Sequence, residues 1–328
     1  MEYKTATDRV TEVKEFMARP YLFPGAPGWE DVAGFARGGR RPTRSSRMSE
    51  VAAAGPDLSG RDHRMTEVRI THVGGPTTLI EVAGRRLLTD PTFDPPGRRY
   101  GFGWGTSSRK VSGPALDVDE LPPIDAVLLT HDHHADNLDT AGRALLPKAG
   151  VVLTTPSGAR RLGGNAHGLT PWTTWRLNSP GLPTIQVTAT PARHGPPLSH
   201  PIVGDVTGFA LRWEGQRHGA LWISGDTVLY PGVREVARRL DVGTVLLHLG
   251  GVGFPLSGPV RYTLTAPRAV ELCRALRPHT VLPVHYEGWS HFREGRSVVE
   301  AELAKPASGD LGERFCWLTP GSATDVSV

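Results

Sequence analysis

The spacing of apolar residues changes near residue 66, and this change predicts where the folded part of the chain begins. Residues 1–64 are rich in Gly, Pro, Ser and Arg and contain no strand-like run of apolar residues. From Thr66 onwards, short apolar or alternating runs of about four to eight residues follow one another, which is typical of β-strands. We therefore predict a largely flexible N-terminal extension over residues 1–64 and one folded domain over residues 65–328.

The order of these runs predicts an α/β fold. The first runs are separated by turn residues such as Gly74-Gly75-Pro76, which indicates antiparallel neighbours. Later runs alternate with segments of helical spacing, which favours parallel strands with helices packed outside them. The predicted strands are Val68–His72, Thr77–Val82, Arg86–Thr89, Ala126–Leu129, Val151–Thr154, Thr184–Thr190, Gly208–Trp213, Ala220–Ser224, Thr244–Leu249 and Thr280–Val284. The predicted helices are Leu138–Leu146, Gly158–Leu162, Val233–Leu240 and Thr265–Leu276. Together they predict a four-layered αβ/βα sandwich, with two mixed sheets and outer helices.

Composition and charge exclude several other classes of protein. The 328 residues are 38% hydrophobic and 21% charged, as in an ordinary globular protein. No apolar run approaches the roughly 20 residues that cross a bilayer, and the N-terminus lacks the apolar core of a secretory signal, so we expect a cytoplasmic protein. The net charge is only +4, and the one dense basic cluster, residues 37–47, has the composition of a solvated tail. We therefore expect a small-molecule substrate and no nucleic-acid partner.

Candidate metal ligands lie directly after predicted strands. The stretch His131-Asp132-His133-His134-Ala135-Asp136 follows the apolar strand Ala126–Leu129, and His194, Asp226 and His285 each follow a different strand. Imidazole nitrogens and carboxylate oxygens are ligands that zinc prefers, and a catalytic zinc site leaves one position open. We therefore predict a metal site whose ligands are drawn from His131, His133, His134, Asp136, His194, Asp226 and His285.

Three further polar residues are expected to support these ligands rather than to bind the metal. Asp90 ends the third predicted strand and is placed to accept a hydrogen bond from a ligand histidine, which would fix the orientation of that ring. Asn137 and Asp139 follow the histidine stretch. Asn137 is a weak ligand, and we expect Asp139 to fix the loop or a ligand histidine.

These motifs resemble those of the metallo-β-lactamase fold superfamily, over roughly two-thirds of the chain. The likeness is closest to the branch that includes ascorbate-6-phosphate lactonase and N-acyl phosphatidylethanolamine phospholipase D. The order of motifs is shared: a strand ending in Asp-Pro, a histidine-rich stretch, Pro-Ala-x-His, Ser-Gly-Asp-Thr and Pro-x-His. Here they are Asp90-Pro91, His131–Asp139, Pro191–His194, Ser224–Thr227 and Pro283–His285. The resemblance implies a four-layered sandwich with one or two metal ions, and hydrolysis by a metal-bound hydroxide.

The chain departs from the family pattern at two places. Gly75 stands where the family has the histidine of an early Gly-His-Ala turn. In addition, the stretch His131–Asp139 is one residue longer than the family's His-x-His-x-Asp-His-Leu-Asp.

The extra residue leaves two alignments open. Aligned from the left, His131 and His133 are the paired histidines, and Asp136 stands where the family has its last histidine. Aligned from the right, His134 is the second paired histidine, Asp136 is the family aspartate and Asn137 replaces the last histidine. Asp136 is a ligand of the second ion on both alignments. The second ion therefore has one ligand fewer than in the family, or a weaker one.

The predicted function is metal-dependent hydrolysis of an ester, lactone or phosphodiester of a small or amphipathic substrate. The expected cofactor is one or two Zn²⁺ ions, with Mn²⁺ and Fe²⁺ as alternatives. Asp136 and Asp226 are the predicted catalytic carboxylates: Asp226 is placed to bridge two ions, and Asp136 to accept a proton if the second ion is missing. We expect the loop Thr92–Gly113, with Trp104 and several arginines, to line the substrate pocket.

The alternative function is a non-catalytic or regulatory binding protein on the same fold with a weakened second metal site. A complete ligand set separates the two hypotheses, and the presence of His194 and His285 favours the enzyme. A di-iron redox enzyme ranks lower, because its pattern requires a Glu that the stretch His131–Asp139 lacks. The sequence gives no indication of the oligomeric state.

Overall fold

The structure, a computed structural model, describes residues 67–328, apart from residues 104 and 198 and the side chain of residue 202. The predicted N-terminal extension, its arginine cluster and Trp104 lie outside the described residues. The strands are β1 (Glu67–Gly74), β2 (Thr77–Val82), β3 (Arg85–Thr89), β4 (Arg99–Gly101), β5 (Ser107–Arg109), β6 (Ala126–Leu128), β7 (Val151–Thr154), β8 (Ala166–Gly168), β9 (Thr174–Ser179), β10 (Leu182–Pro191), β11 (Thr207–Arg212), β12 (Ala220–Ile223), β13 (Val242–His248), β14 (Thr280–Val284) and β15 (Ala323–Ser327). The α-helices are α1 (Thr140–Leu145), α2 (Pro156–Leu162), α3 (His200–Val203), α4 (Pro231–Arg239), α5 (Ala266–Leu276), α6 (Arg296–Leu303) and α7 (Leu311–Arg314).

Two large sheets hold most of these strands. The first sheet has the order β15-β1-β2-β3-β6-β7-β8, and the second has the order β14-β13-β12-β11-β10-β9. In the first sheet the pairs from β3 to β8 are parallel and the others are antiparallel. In the second sheet β12, β13 and β14 are parallel to one another. Both sheets are therefore mixed, as predicted.

Alternate residues of the central strands face different layers of the core. In β6, Ala126 and Leu128 pack between the two sheets, whereas Val127 packs on the outer side with residues of α1. In β13, Leu246 faces the other sheet and Val245 faces the outer helices. Because side chains alternate along a strand, a strand buried on both faces reads as a continuous apolar run. The four-layered sandwich is confirmed.

The β4–β5 hairpin (residues 99–109) was not predicted, because each of its strands has only three residues and the segment is rich in Gly and Arg. Contacts from distant parts of the chain hold the hairpin in place. Just beyond it the backbone N–H of Val111 donates to the carbonyl of Gly288, and Lys110 pairs with Trp289. The predicted loop Thr92–Gly113 therefore contains a hairpin fixed by tertiary contacts.

None of the described helices is long and apolar enough to cross a membrane.

Candidate metal centre

Six of the predicted ligands form two buried groups at the ends of strands. His131, His134 and His194 make up the first group, and Asp136, Asp226 and His285 make up the second. Within each group, one ligand atom from every residue lies within 4.8 Å of the corresponding atoms of the other two. We call these the first group and the second group. Each brings residues of both sheets together, since His131, His134 and Asp136 follow β6 while the other three follow strands of the second sheet.

Two imidazoles of the first group, those of His131 and His194, are oriented by contacts of their Nδ1 atoms with neighbouring groups. The Nδ1 atom of His194 donates to the carbonyl of Tyr262 at 2.8 Å, and its Nε2 atom lies 3.2 Å from Nδ1 of His134. The Nδ1 atom of His131 is 3.1 Å from the hydroxyl of Thr130, while its Nε2 atom is buried without a partner. A ligand histidine is usually held in this way, with one nitrogen fixed by the protein and the other facing the metal.

Asp90 supports the first group by accepting hydrogen bonds from Thr130 and His248. Its Oδ2 atom accepts a hydrogen bond from the Thr130 hydroxyl at 3.0 Å and another from Nε2 of His248 at 3.2 Å. The backbone N–H of Thr130 donates to the Oδ1 atom at 2.7 Å. The Thr130 hydroxyl thereby links His131 to Asp90, which is the orienting position that the sequence predicted. Asp90 has a positive φ of 32°, a conformation that is uncommon outside glycine and that clusters at functional sites.

The second group has several buried polar atoms without hydrogen-bond partners. They are Oδ1 of Asp136, both carboxylate oxygens of Asp226 and both ring nitrogens of His285. The Nε2 atom of His285 is 3.3 Å from an oxygen of Asp136 and 3.3 Å from an oxygen of Asp226. Burying so many unpartnered polar atoms is costly, and a cation bound among them would offset that cost. The donor set therefore fits a metal ion.

Asp226 lies between the two groups. Its Oδ2 atom is 4.0 Å from Nε2 of His194 in the first group and 3.3 Å from Nε2 of His285 in the second. Gly225 makes this position possible, because its φ is +62° and a Cβ atom there would lie 2.5 Å from the carbonyl oxygen of Thr207. Asp226 is thus placed where one carboxylate can contact two ions.

Burial sets the protonation of the imidazoles in the first group. It lowers the pKa of His134 to about 4 and that of His194 to about 3, and it lowers the pKa of His131 well below its usual value. Neighbouring imidazoles lower the pKa of His194 and His131 further, since two adjacent positive charges repel each other. All three rings are therefore neutral at pH 7, and a neutral imidazole is the form that binds a metal.

In the second group, burial and paired charges act in opposite directions. Burial raises the pKa of Asp226 to about 8, although the nearby His285 lowers it. Burial lowers the pKa of His285, but the carboxylates of Asp226 and Asp136 outweigh this effect and raise it to about 9. Since the pKa of His285 is raised by a charged carboxylate beside it, the two residues titrate as a pair, and a cation that binds here displaces the protons that the pair holds.

The structure brings His134, and not His133, into the first group. His133 is partly exposed, and its ring lies against Gly204, where a Cβ atom would be 2.1 Å from the imidazole. Its Nδ1 atom is 3.6 Å from Asp132 and 3.5 Å from Arg161. The right-hand alignment describes this geometry, because the extra residue turns His133 away from the site.

The two predicted supporting residues after Asp136 lie outside both groups. The side-chain amide of Asn137 donates to Asp90 at 3.3 Å and lies 3.4 Å from the Thr130 hydroxyl. Asp139 caps α1 by accepting from the backbone N–H of Gly142, and it forms a buried ion pair with Lys110 at 2.9 Å. Asp139 thus fixes the loop that carries the ligands.

Two further histidines near the site are not among the predicted ligands. His248 contacts Asp90, and Nε2 of His291 lies 2.9 Å from Oδ2 of Asp136. The sequence contained one usable signal for His248, because that residue ends a predicted buried strand just as the ligands do. It contained none for His291, which is 155 residues from its partner.

A cavity of about 360 Å³ adjoins the first group, and His194 forms part of its wall. Most of the wall is apolar and comes from Pro156, Leu169, Pro171, Ala192 and Val203. Arg193 also lines it, and the Nε atom of that side chain is buried without a hydrogen-bond partner.

None of the described residues of the loop Thr92–Gly113, which was expected to line the substrate pocket, lies in the wall of this cavity. Two of its charged side chains are engaged elsewhere: Arg98 pairs with Asp94 at 3.7 Å, and Lys110 pairs with Asp139. Its contribution near the metal site is Phe102, whose ring centroid lies 5.2 Å from that of His134.

Comparison with known proteins places the fold and the site in a family. The model of the beta-lactamase superfamily domain matches residues 85–286, which is more than half of the chain. A UPF0173 metal-dependent hydrolase of Pelotomaculum thermopropionicum is 27% identical over 269 residues, covering 79% of this chain and 100% of the relative. Another, from Opitutus terrae, is 28% identical over 267 residues and covers 79% of this chain and 100% of the relative.

Solved structures show the same fold at lower sequence identity. A possible metal-dependent hydrolase from Veillonella parvula superposes with a TM-score of 0.66 at 17% identity, covering 80% of this chain and 100% of that one. The isothiocyanate hydrolase from Delia radicum gut bacteria superposes with a TM-score of 0.65 at 19% identity, covering 79% and 100%.

The chain belongs to the beta-lactamase superfamily. Within that superfamily it is a metal-dependent hydrolase, a class that fits both its relatives and the two groups of buried ligands.

Proposed function

We propose that the chain hydrolyses an ester, lactone or phosphodiester of a small or amphipathic substrate, using one or two zinc ions. The observation that carries this proposal is the pair of adjacent buried ligand groups with Asp226 between them. Three neutral imidazoles are a donor set that zinc prefers in catalytic sites, and this supports zinc in the first group. The second group is richer in oxygen, and for this reason we keep Mn²⁺ and Fe²⁺ as alternatives there.

An ion bound in the first group lowers the pKa of a water molecule and polarises the bond to be cleaved. The protein's part is to hold His131, His134 and His194 with their free nitrogens converging, through Thr130 and the Tyr262 carbonyl. Asp226 lies between the two groups, where its carboxylate would contact an ion held in either of them. Asp136, whose Oδ1 atom has no partner, is the carboxylate placed to take up a proton if the second ion is missing.

The cavity beside His194 is where we place the non-reacting part of the substrate. Its volume of about 360 Å³ is that of a small-ligand pocket, and its walls are mainly apolar. Arg193 adds one cationic donor with a free Nε atom. An ester or lactone fits these walls best, with an apolar acyl chain in the cavity and an oxygen facing Arg193.

Elemental analysis combined with a substrate panel tests this function. We expect one or two zinc ions per chain and hydrolysis of at least one member of a panel of aryl esters, lactones and bis(p-nitrophenyl) phosphate. A chelator should abolish that activity and added Zn²⁺ should restore it. A protein that binds no metal, even after incubation with Zn²⁺, Mn²⁺ or Fe²⁺, would refute the proposal.

A further inference from the structure

The second group lacks the histidine that follows the aspartate in the family pattern. Asn137 occupies that position, and its amide is directed to Asp90 and Thr130. Among the histidines and carboxylates of the stretch after β6, only Asp136 belongs to the second group. Asp136 needs another source of orientation, because a single carboxylate on a loop can rotate.

His291 contacts Asp136 from the loop after β14. Its Nε2 atom lies 2.9 Å from Oδ2 of Asp136, and its Nδ1 atom lies 2.5 Å from the hydroxyl of Ser108 in β5. The ring is 2% exposed and is stacked on Phe254 with an interplanar angle of 10°. On another side, the ring centroid of Phe102 is 4.8 Å away. These aromatic contacts fix the plane of the imidazole.

The partners of His291 define the direction of its hydrogen bonds. A carboxylate oxygen only accepts, so the proton of the neutral ring is on Nε2 and is donated to Asp136. The Nδ1 atom then accepts, and the hydroxyl of Ser108 donates to it. Ser108 is in turn 3.2 Å from the hydroxyl of Ser290, which accepts from the backbone N–H of Arg109 at 2.9 Å.

The hydrogen bond from His291 engages Oδ2 of Asp136 and leaves Oδ1 without a partner. The Oδ1 atom is buried and makes no hydrogen bond. His291 itself is not a member of the second group, whose ligand atoms all lie within 4.8 Å of one another. Its geometry is therefore that of a residue that orients a ligand.

We propose that His291, held by Ser108, is the positioning residue that directs Asp136 toward the second ion. It would orient this ligand in a chain where Asn137 stands in place of the family's histidine. This inference rests on the proposed function in taking Asp136 as a ligand of a second metal ion. Partners that orient a ligand typically change metal affinity by about 10–100-fold. The same hydrogen bonds tie the second ion to the β4–β5 hairpin, through Ser108.

Titration of metal-free protein with Co²⁺, followed by its visible absorption, tests the proposal without a substrate. We expect the wild-type protein to bind two ions. His291→Phe keeps a ring but removes both hydrogen bonds. It should lower the affinity for the second ion about 10–100-fold and leave the affinity for the first ion unchanged. Ser108→Ala should weaken the second ion less. His291→Gln keeps a side-chain donor and should restore part of the affinity.

The outcomes separate this proposal from the proposed function. Unchanged affinity for the second ion in His291→Phe overturns the positioning role, as does a wild-type protein that binds only one ion. Equal weakening of both ions in both Ser108→Ala and His291→Phe also overturns it, because that result indicates a general structural role. Failure to hydrolyse any substrate would count against the proposed function alone, since the titration needs no substrate. Exposed His279, which belongs to neither group and does not line the cavity beside His194, is changed to Phe as the matched control.

Discussion

The Nδ1 atom of His134 lies 3.2 Å from the Nε2 atom of His194, although 60 residues separate them in the chain. This contact assigns His134 to the first group and leaves its neighbour His133 outside. We expect His134→Ala to lose the first ion and to reduce hydrolysis by at least about 100-fold, since ligand loss removes the group that activates water. Metal content and kcat/KM measure the two effects.

His133→Ala is the control for that prediction. It changes the adjacent residue and removes contacts to Asp132, Arg161 and Gly204, none of which is a predicted ligand. It should keep both the metal content and most of the activity. Loss of metal in His133→Ala, with metal retained in His134→Ala, would contradict this placement of the two histidines.

Acid should destabilise metal-free protein through His134. Its pKa is lowered from 6.5 to about 4 by burial, so below pH 6.5 the unfolded chain binds a proton that the folded chain does not. The free energy of unfolding should therefore fall as the pH decreases from 6.5 to 4, by about 3 kcal/mol from this residue. Urea unfolding across this pH range should show a shallower decrease for His134→Gln than for the wild-type chain. An equal decrease in both would count against the buried, neutral ring.

The ion pair between Lys110 and Asp139 should be important for stability. The two side chains are 4% and 0% exposed. Lys110→Met leaves the Asp139 carboxylate buried without its cation, and this should lower the free energy of unfolding by about 3–5 kcal/mol. Denaturant unfolding measures the change. Arg296→Met, which breaks an exposed pair with Glu300, is the control and should cost no more than about 1 kcal/mol.

The cavity beside His194 should determine the length of acyl chain that is accepted. Val203→Phe places a larger side chain in the cavity wall, and it should raise KM for long-chain aryl esters while leaving KM for the acetyl ester nearly unchanged. The same substitution at exposed Val298 is the control and should affect neither ester. A uniform change in KM for both chain lengths in Val203→Phe would show that the acyl chain binds elsewhere.

Most of the sandwich was predictable because its central strands are buried on both faces and read as apolar runs. Ala126–Leu128 and Val242–His248 are of this kind. Strand β9 and the edge strand β15 were missed, because each has mostly exposed residues and is held by its pairing with a neighbouring strand. Helix α6 was missed as well, and it begins without a side-chain capping contact.

In the site, the residue types were predictable but one choice between neighbours was not. Spacing alone did not distinguish His133 from His134 as the second ligand histidine, because the turn after β6 contains an additional residue. His133 packs against Gly204, 71 positions further along the chain, and this contact keeps His133 out of the first group. The local sequence does not indicate a contact between residues so far apart. The contact of His291 with Asp136 is equally remote, and so no local motif announced it.

The second group draws Asp136 from the first sheet and Asp226 and His285 from the second. An ion held by these three residues binds only after the two sheets have docked. Contacts that form after the folding transition state are broken before that state is reached in unfolding. Such an ion would therefore lower the unfolding rate of the assembled molecule and have little effect on the rate at which either sheet forms. We therefore expect the half-life of the folded chain to increase with the metal concentration, while its folding rate stays nearly constant.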